Sequence, residues 1–483
     1  MAPTRTAVSA PGKVLLAGGY LVLDRKYTGL VFGLDARIHT VVHHLPTRSG
    51  VSLSEIIVRS PQFKDAEWRY GYRLADDHGG IEVTQLTGSS LAPSSRNIFV
   101  ETALSYALTY VATLESPNLA PSSITILADN DYYSQTSSSI TSNSGQFADL
   151  RVPLLEAHKT GLGSSAALVT SFTAAILSHY LSSNAFSIAS EDAKTVVHNL
   201  AQAAHCAAQG KVGSGFDVAA AVYGSCIYKR FSPSVLEGIG EIGSSGFSQR
   251  LKHVIEGTGP GIKWDTEILR EAVKVPRGIR LVMCDVDCGS QTVGMVKNVL
   301  KWRKDNPVEA DALWDTLQQK NTLLGETLSE LTQLELASQK EYDAGLQEIA
   351  RGIPSAEHSP IWSGKYSELR DTLTAIRSLI QDMSSKSSVA IEPKPQTDLL
   401  DACSALPGVI GGVVPGAGGY DAIALLVVDT EDVMKKLSEF LVDWKVGTKD
   451  ESGGGAGKVR MLGVREEMEG VKVETQELYT SWL

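Results

Sequence analysis

Lys159-Thr160-Gly161-Leu162-Gly163-Ser164-Ser165-Ala166-Ala167 is the stretch that decides the fold. Two glycines one residue apart let the backbone approach a ligand closely and take positive φ. An apolar run with helical character follows over 164–181. A helix start offers unpaired N–H groups and the positive end of the macrodipole, which together suit a phosphate. Ser164 and Ser165 add hydroxyls for phosphate or for Mg²⁺, a hard cation that prefers oxygen. This is not a Walker A loop, because GxxxxGK(S/T) occurs nowhere. The nearest approach, at 453–458, has Ser452 in the first glycine position and is expected to be a flexible loop.

Working outward, three more segments carry the same residue types. Pro11-Gly12-Lys13 lies near the N-terminus. In Gln209-Gly210-Lys211-Val212-Gly213-Ser214-Gly215-Phe216-Asp217, a lysine and an aspartate bracket a Gly-Ser-Gly turn at a helix exit. Such a turn can hold a carboxylate near a metal or another backbone. In Gly411-Gly412-Val413-Val414-Pro415-Gly416-Ala417-Gly418-Gly419-Tyr420-Asp421, the glycines leave N–H groups free to form an anion nest between two apolar strands. It is not GxGxxG, since Asp421 holds the last glycine position. Each segment alone also has a plain structural explanation as a solvated turn or a hairpin.

The chain has 483 residues, with 44 Lys+Arg against 55 Asp+Glu and a net charge of −11. That balance argues against a nucleic-acid partner. Positive charge for an anionic ligand must therefore be local, and Lys13, Lys159 and Lys211 are the candidates. Arg25, Lys26 and Arg37 read as solvated surface charges. His198 and His205 match no metal-ligand set and read as packed or solvated residues. The 5 cysteines form no CxxC and read as reduced thiols. No apolar segment follows the N-terminus, no run of 18 apolar residues occurs, and the C-terminus carries no recognised address. A cytoplasmic protein without a membrane span is expected.

The 44 glycines are not repeated at a fixed period. Helices are expected over 97–113, 164–181, 191–209, 292–304, 308–336, 339–352, 366–383 and 431–444. Ser190 is the cap of the third of these, and Gly210 its stop. Strands are expected within the first 45 residues, at 124–127, 279–286, 409–414 and 422–428, and near 458–464 and 470–475. Residues 46–95 read as an irregular hairpin insertion. Residues 133–147, rich in Ser and Thr, read as a mobile loop, and 232–263, rich in Gly, Ser and Pro, as a linker.

Taken together, the segments at 11–19, 156–167 and 411–421 resemble, in order and spacing, the motifs of the GHMP kinases. Glu156-Ala157-His158-Lys159 departs from the family's usual entry into the central loop. Within the family, 159–165, 204–220 and Cys288-Gly289-Ser290-Gln291-Thr292-Val293 are most similar to the fungal-type phosphomevalonate kinases. No Glu stands between Asp192 and Asp217, so the acidic metal ligand that mevalonate kinases carry there is missing.

The resemblance implies a two-domain α/β (α+β) fold. Residues 1–231 would form an N-terminal ATP-binding domain with a left-handed βαβ unit, followed by the linker. Residues 264–483 would form a ferredoxin-like C-terminal domain with added helices. It also implies phosphoryl transfer from ATP, with Mg²⁺, to 5-phosphomevalonate. Gly161, Leu162, Gly163, Ser164, Ser165 and Ala166 would bind ATP, with Ser165 on the metal and Asn97 on the nucleotide side. Lys13 and Asp217 would be catalytic. Lys211, Ser214, Ser290, Gln291, Thr292, Ala417 and Gly418 would hold the acceptor. The alternatives are mevalonate kinase or another small-molecule kinase of the family, a decarboxylating relative, and a non-catalytic sensor on the same fold.

Overall fold

The computed structural model of the chain describes residues 5–46, 54–86, 95–114, 119–134, 145–259, 261–270, 273–286, 294–352, 364–446 and 457–483. Two sheets organise it. The first begins with two long strands, β1 (Thr6–Ala17) and β2 (Gly29–His44), paired antiparallel and buried for most of their length. The insertion at 46–95 supplies β3 (Glu55–Arg59), β4 (Glu67–Leu74) and β5 (Ile81–Gln85). After helix α1 (Ile98–Leu114), β6 (Ser122–Ala128) enters between β2 and β3. Its pairing with β3 is parallel.

Helix α2 (Ser164–Tyr180) lies on β1 and β2, flanked by α1 and by α3 (Glu191–Gln209). Its apolar residues face all round, as a helix enclosed on every side requires. Ser190 caps α3 by accepting the Ala193 N–H at 3.1 Å, and Gly210 ends it in the left-handed conformation, as expected. The segment after Gly210 does more than turn: it starts a further helix, α4 (Phe216–Tyr223), before β7 (Cys226–Lys229).

Residues 232–263 are not a free linker. They carry α5 (Phe247–Glu256), which packs on α1 and α3 through buried Phe247, Leu251, Val254 and Ile255. The spacing of those four is a helical stripe; glycine and serine around it masked the signal. Next, β8 (Glu267–Leu269) pairs with β7, so the first sheet extends past residue 264.

The second sheet starts at β9 (Ile279–Val286). Helices α6 (Met295–Asp305), α7 (Pro307–Ala337), α8 (Gln339–Arg351), α9 (Gly364–Ser387) and α10 (Lys394–Ser404) follow. The chain continues through β10 (Val409–Val413), β11 (Ala422–Val428), α11 (Glu431–Asp443), β12 (Lys445–Val446) and β13 (Gly457–Met461). The order β10-β11-β9-β13, antiparallel throughout, is the ferredoxin-like arrangement. The chain then returns to the first sheet: β14 (Glu466–Glu467) pairs with β2 and β15 (Lys472–Val473) with β1. The closing segments thus serve both sheets, and the expected division at 231 and 264 does not follow the strand pairing.

Candidate active site

The site is built along β1. A register shift between Pro11 and Gly12 moves the β2 partner from Arg37 to Leu34. A bulge of this kind re-aims the next side chain, and proline, which lacks an N–H, is tolerated at one. The next residue is Lys13. Its N–H donates to the Leu162 carbonyl at 2.9 Å, which ties the strand to the turn before α2. Its ammonium donates to the Gly161 carbonyl at 3.1 Å and lies 5.7 Å from the centre of the Phe216 ring.

Gly161 and Gly163 take φ of 77° and 82°, the left-handed region that side chains resist. A Cβ on Gly163 would meet Cε of Lys13 at 2.8 Å, so this glycine also makes room for the lysine stem. Gly163 precedes α2 without a side-chain cap. The first N–H groups of α2 are therefore left for another partner.

Phe216 and Asp217 open α4, where an acidic residue suits the positive helix end. Oδ1 of Asp217 accepts the Val218 N–H at 3.0 Å. Burial lowers the pKa of Lys13, and the Asp217 charge opposes that fall. Lys13 thus links the start of α2 with the start of α4.

The 210–215 turn is held from behind. Buried Arg230 donates to the carbonyls of Val212 at 3.0 Å, Gly213 at 2.7 Å and Leu23 at 2.7 Å. Tyr228 donates to the Ser214 carbonyl at 2.7 Å. Neither residue carries a sequence motif, and sequence reasoning missed both. Lys211 is exposed and Ser214 half-buried at this turn.

The turn at 415–419 meets the same strand from the second sheet. The Gly416 N–H donates to the Leu15 carbonyl at 3.1 Å, and the Tyr20 hydroxyl to the Ala417 carbonyl at 2.7 Å. Gly418 packs on the Ile391 backbone, where a Cβ would collide with the Ile391 carbonyl. Ser290, Gln291 and Thr292 lie outside the described residues.

Among the described residues no ion pair uses Lys13, Lys159 or Lys211. The other basic candidates are engaged. Arg25 pairs with Asp265 at 2.8 Å and Lys26 with Asp315 at 2.5 Å. Arg37, expected as a solvated charge, is 4% exposed; it donates to Ser9 at 2.6 Å and faces Glu467 and Glu474. The sequence gives no hint of this, because its acidic partners lie over 400 residues away, on the returning C-terminal segment.

Asn97 caps α1, its Oδ1 accepting the Val100 N–H at 3.3 Å. His198 is a core residue: it bonds Asn199 at 3.0 Å, and burial pushes its pKa down to about 4. His205 is different, because its Nε2 lies 3.1 Å from the Ser165 hydroxyl oxygen.

The oxygen donors at the turn are the hydroxyls of Ser164 and Ser165, with the Asp217 carboxylate across Lys13. They are hard ligands of the kind Mg²⁺ takes. Among the described residues no group of three or more His, Cys, Asp or Glu could hold a metal alone. A cation at this turn would draw its remaining ligands from phosphate and water, as Mg²⁺ commonly does.

The profile of the GHMP kinases N terminal domain matches residues 144–225, the span that holds the Gly161 turn and Asp217. Along the whole chain, the phosphomevalonate kinase of Gibberella zeae is 51% identical over 484 residues, covering 99% of this chain and 98% of that protein. The peroxisomal phosphomevalonate kinase of Arabidopsis thaliana is 34% identical, covering 98% and 97%. Among solved structures, a Streptococcus pneumoniae phosphomevalonate kinase in complex with phosphomevalonate and AMPPNP aligns with a TM-score of 0.55 at 16% identity. That alignment covers 90% of this chain and 95% of that one, and it speaks to the fold. With relatives this similar along its whole length, the chain belongs to the GHMP kinase family, in the branch of the phosphomevalonate kinases.

Proposed function

We propose that the protein transfers the γ-phosphoryl group of ATP to 5-phosphomevalonate, giving ADP and 5-diphosphomevalonate. The observation that carries this reading is the kinship with phosphomevalonate kinases along the whole chain, not over the nucleotide turn alone. The local geometry supports it, since phosphoryl transfer needs alignment and charge neutralisation more than covalent help.

In this reading Gly161, Leu162, Gly163, Ser164, Ser165 and Ala166 cradle the ATP phosphates, with the free N–H groups of α2 aimed at them. Ser165 and Asp217 are the ligands this chain offers to Mg²⁺, which would neutralise phosphate charge. Lys13 is the movable point charge between nucleotide and acceptor. Lys211 and Ser214 hold the acceptor from the turn that Arg230 and Tyr228 fix. Ser290, Gln291 and Thr292 remain assigned to the acceptor, and Asn97 to the nucleotide side. Ala417 and Gly418 line the acceptor side through backbone already joined to Tyr20 and Ile391.

Asp217 is not needed as a base here. A phosphate monoester has a second pKa of about 6 and is mostly dianionic at neutral pH. The acceptor oxygen is therefore already deprotonated, and Asp217 serves to sustain the charge of Lys13 and to bind the cation.

The test is ADP release with MgATP and one acceptor at a time. Turnover is expected with 5-phosphomevalonate and not with mevalonate or galactose. Preference for mevalonate would overturn the assignment. ATP binding with no turnover on any acceptor would favour a sensor, and CO₂ release a decarboxylating relative.

The proposal places the protein in the cytoplasm. Cys206, Cys226, Cys284 and Cys403 are buried free thiols, and no helix among the described residues is long and apolar enough to cross a membrane. A fluorescent fusion concentrated in peroxisomes, where the Arabidopsis relative is named to reside, would contradict this placement.

A further inference from the structure

Ser165 stands in the first turn of α2, and His205 one turn before the end of α3, which packs beside it. His205 is 2% exposed, and its Nε2 lies 3.1 Å from Oγ of Ser165. The ring of Phe99 covers it, with centroids 5.6 Å apart and planes tilted by 32°. The side-chain nitrogen of Gln209 lies 3.3 Å from the same Nε2.

An amide nitrogen can only donate. With that amide nitrogen donating, Nε2 carries no proton and the ring proton is on Nδ1; the one lone pair of Nε2 is shared, and between Nε2 and the Ser165 hydroxyl only the hydroxyl has a proton to give. A hydroxyl has one proton and two lone pairs. Once its proton is committed inward, the oxygen is left only to accept.

We infer that His205 is a positioning residue. It fixes the Ser165 hydroxyl so that the oxygen's lone pairs face the phosphate side of the turn, ready for a cation. Without His205 the same hydroxyl would turn its proton to a phosphate oxygen instead. Burial alone does not produce this arrangement. His198, seven residues earlier on the same helix, is equally buried but packs against Trp264 and Tyr223 in the core.

The inference rests on the reading of 161–166 as the nucleotide turn, and the experiment separates the two. Binding of AMPPNP is measured without turnover, with and without Mg²⁺, for the wild type, His205→Phe and His205→Gln. The readout is the gain in AMPPNP affinity that Mg²⁺ brings. In His205→Phe this gain is expected to fall about tenfold, the size of effect usual for a residue that orients a metal ligand. Metal-free affinity holds or rises, because the freed hydroxyl can then donate to a phosphate oxygen. His205→Gln, whose amide oxygen can accept the proton, recovers most of the gain.

An undiminished gain in His205→Phe overturns the inference alone. Equal weakening with and without Mg²⁺ assigns His205 a merely structural role. Absence of any gain in the wild type overturns the nucleotide reading and the inference with it. Nitrogen-15 NMR of the unmodified protein gives a check that needs no variant. The His205 Nε2 is expected to be unprotonated and hydrogen-bonded, and a protonated Nε2 overturns the inference.

Discussion

Gly161 and Gly163 in one turn, and Gly416, Gly418 and Gly419 in another, all take positive φ, yet their neighbours differ in kind. Around the first turn a Cβ on Gly161 would meet nothing within 4 Å, and the atoms nearest to one on Gly163 belong to the flexible stem of Lys13. In the second, Gly418 lies against the rigid backbone of Ile391, and Gly416 donates to the Leu15 carbonyl. The first turn keeps its N–H groups and its lysine for something not part of the chain. The second uses its backbone to join the two sheets. In the proposed reading similar composition serves ligand binding in the first turn and, beside the acceptor role of Ala417 and Gly418, assembly in the second, and only the neighbours tell them apart.

The largest expected effect breaks the first turn's chemistry and leaves the second turn alone. Lys13→Met should lower kcat by about 10²–10³-fold, the usual loss when one preorganised donor to developing charge is removed. Its thermal midpoint should change little. Steady-state ADP release and a melting curve check both halves of the statement.

A pair of glycine variants sharpens the comparison. Gly418→Ala must displace backbone, and should cost about 3 kcal/mol of stability, at the upper end of overpacking. Gly161→Ala has open space and pays only the left-handed strain of about 1–2 kcal/mol. Its loss should appear chiefly as weaker ATP binding, because the strain is relieved by moving the turn. Chemical denaturation and ATP titration of both variants should give opposite rankings. If Gly161→Ala is the less stable variant, or Gly418→Ala the weaker ATP binder, the contrast is wrong.

The two turns were about equally visible in the sequence, and so was the order of elements around them. Glycine is punctuation, and α2, α3 and the long helices after residue 290 announce themselves by local apolar spacing. What was hidden depends on distant partners. Arg230 looks like any arginine after a strand until its guanidinium is seen across the carbonyls of Val212, Gly213 and Leu23. His205 sits in an alanine-rich helix and gains its meaning from Ser165, 40 residues earlier. β15 lies within the strand expected near 470–475, but β14 is two residues long, too short to show alternation, and no local pattern shows that the two return the C-terminus to β2 and β1.

The smallest predicted effect concerns how Lys13 is tuned. Burial lowers its pKa, and Asp217 opposes the fall. Asp217→Asn removes that opposition, so the Lys13 pKa drops further and the charge is lost at lower pH. The alkaline limb of the kcat/KM profile should therefore move to lower pH, while activity near pH 7 survives at a reduced level. Rescue of the variant by rising pH would instead make Asp217 a general base.

The central claim is that this site joins a phosphoryl group to a phosphate that is already present. Phosphorus NMR of the protein with MgATP and 5-phosphomevalonate tests it most directly. The account predicts that the γ-phosphate signal of ATP and the monoester signal of 5-phosphomevalonate decline together, as the doublets of ADP and a second pair of coupled doublets from 5-diphosphomevalonate grow. Growth of ADP and orthophosphate with the 5-phosphomevalonate signal unchanged, or no change while mevalonate is phosphorylated, would contradict it.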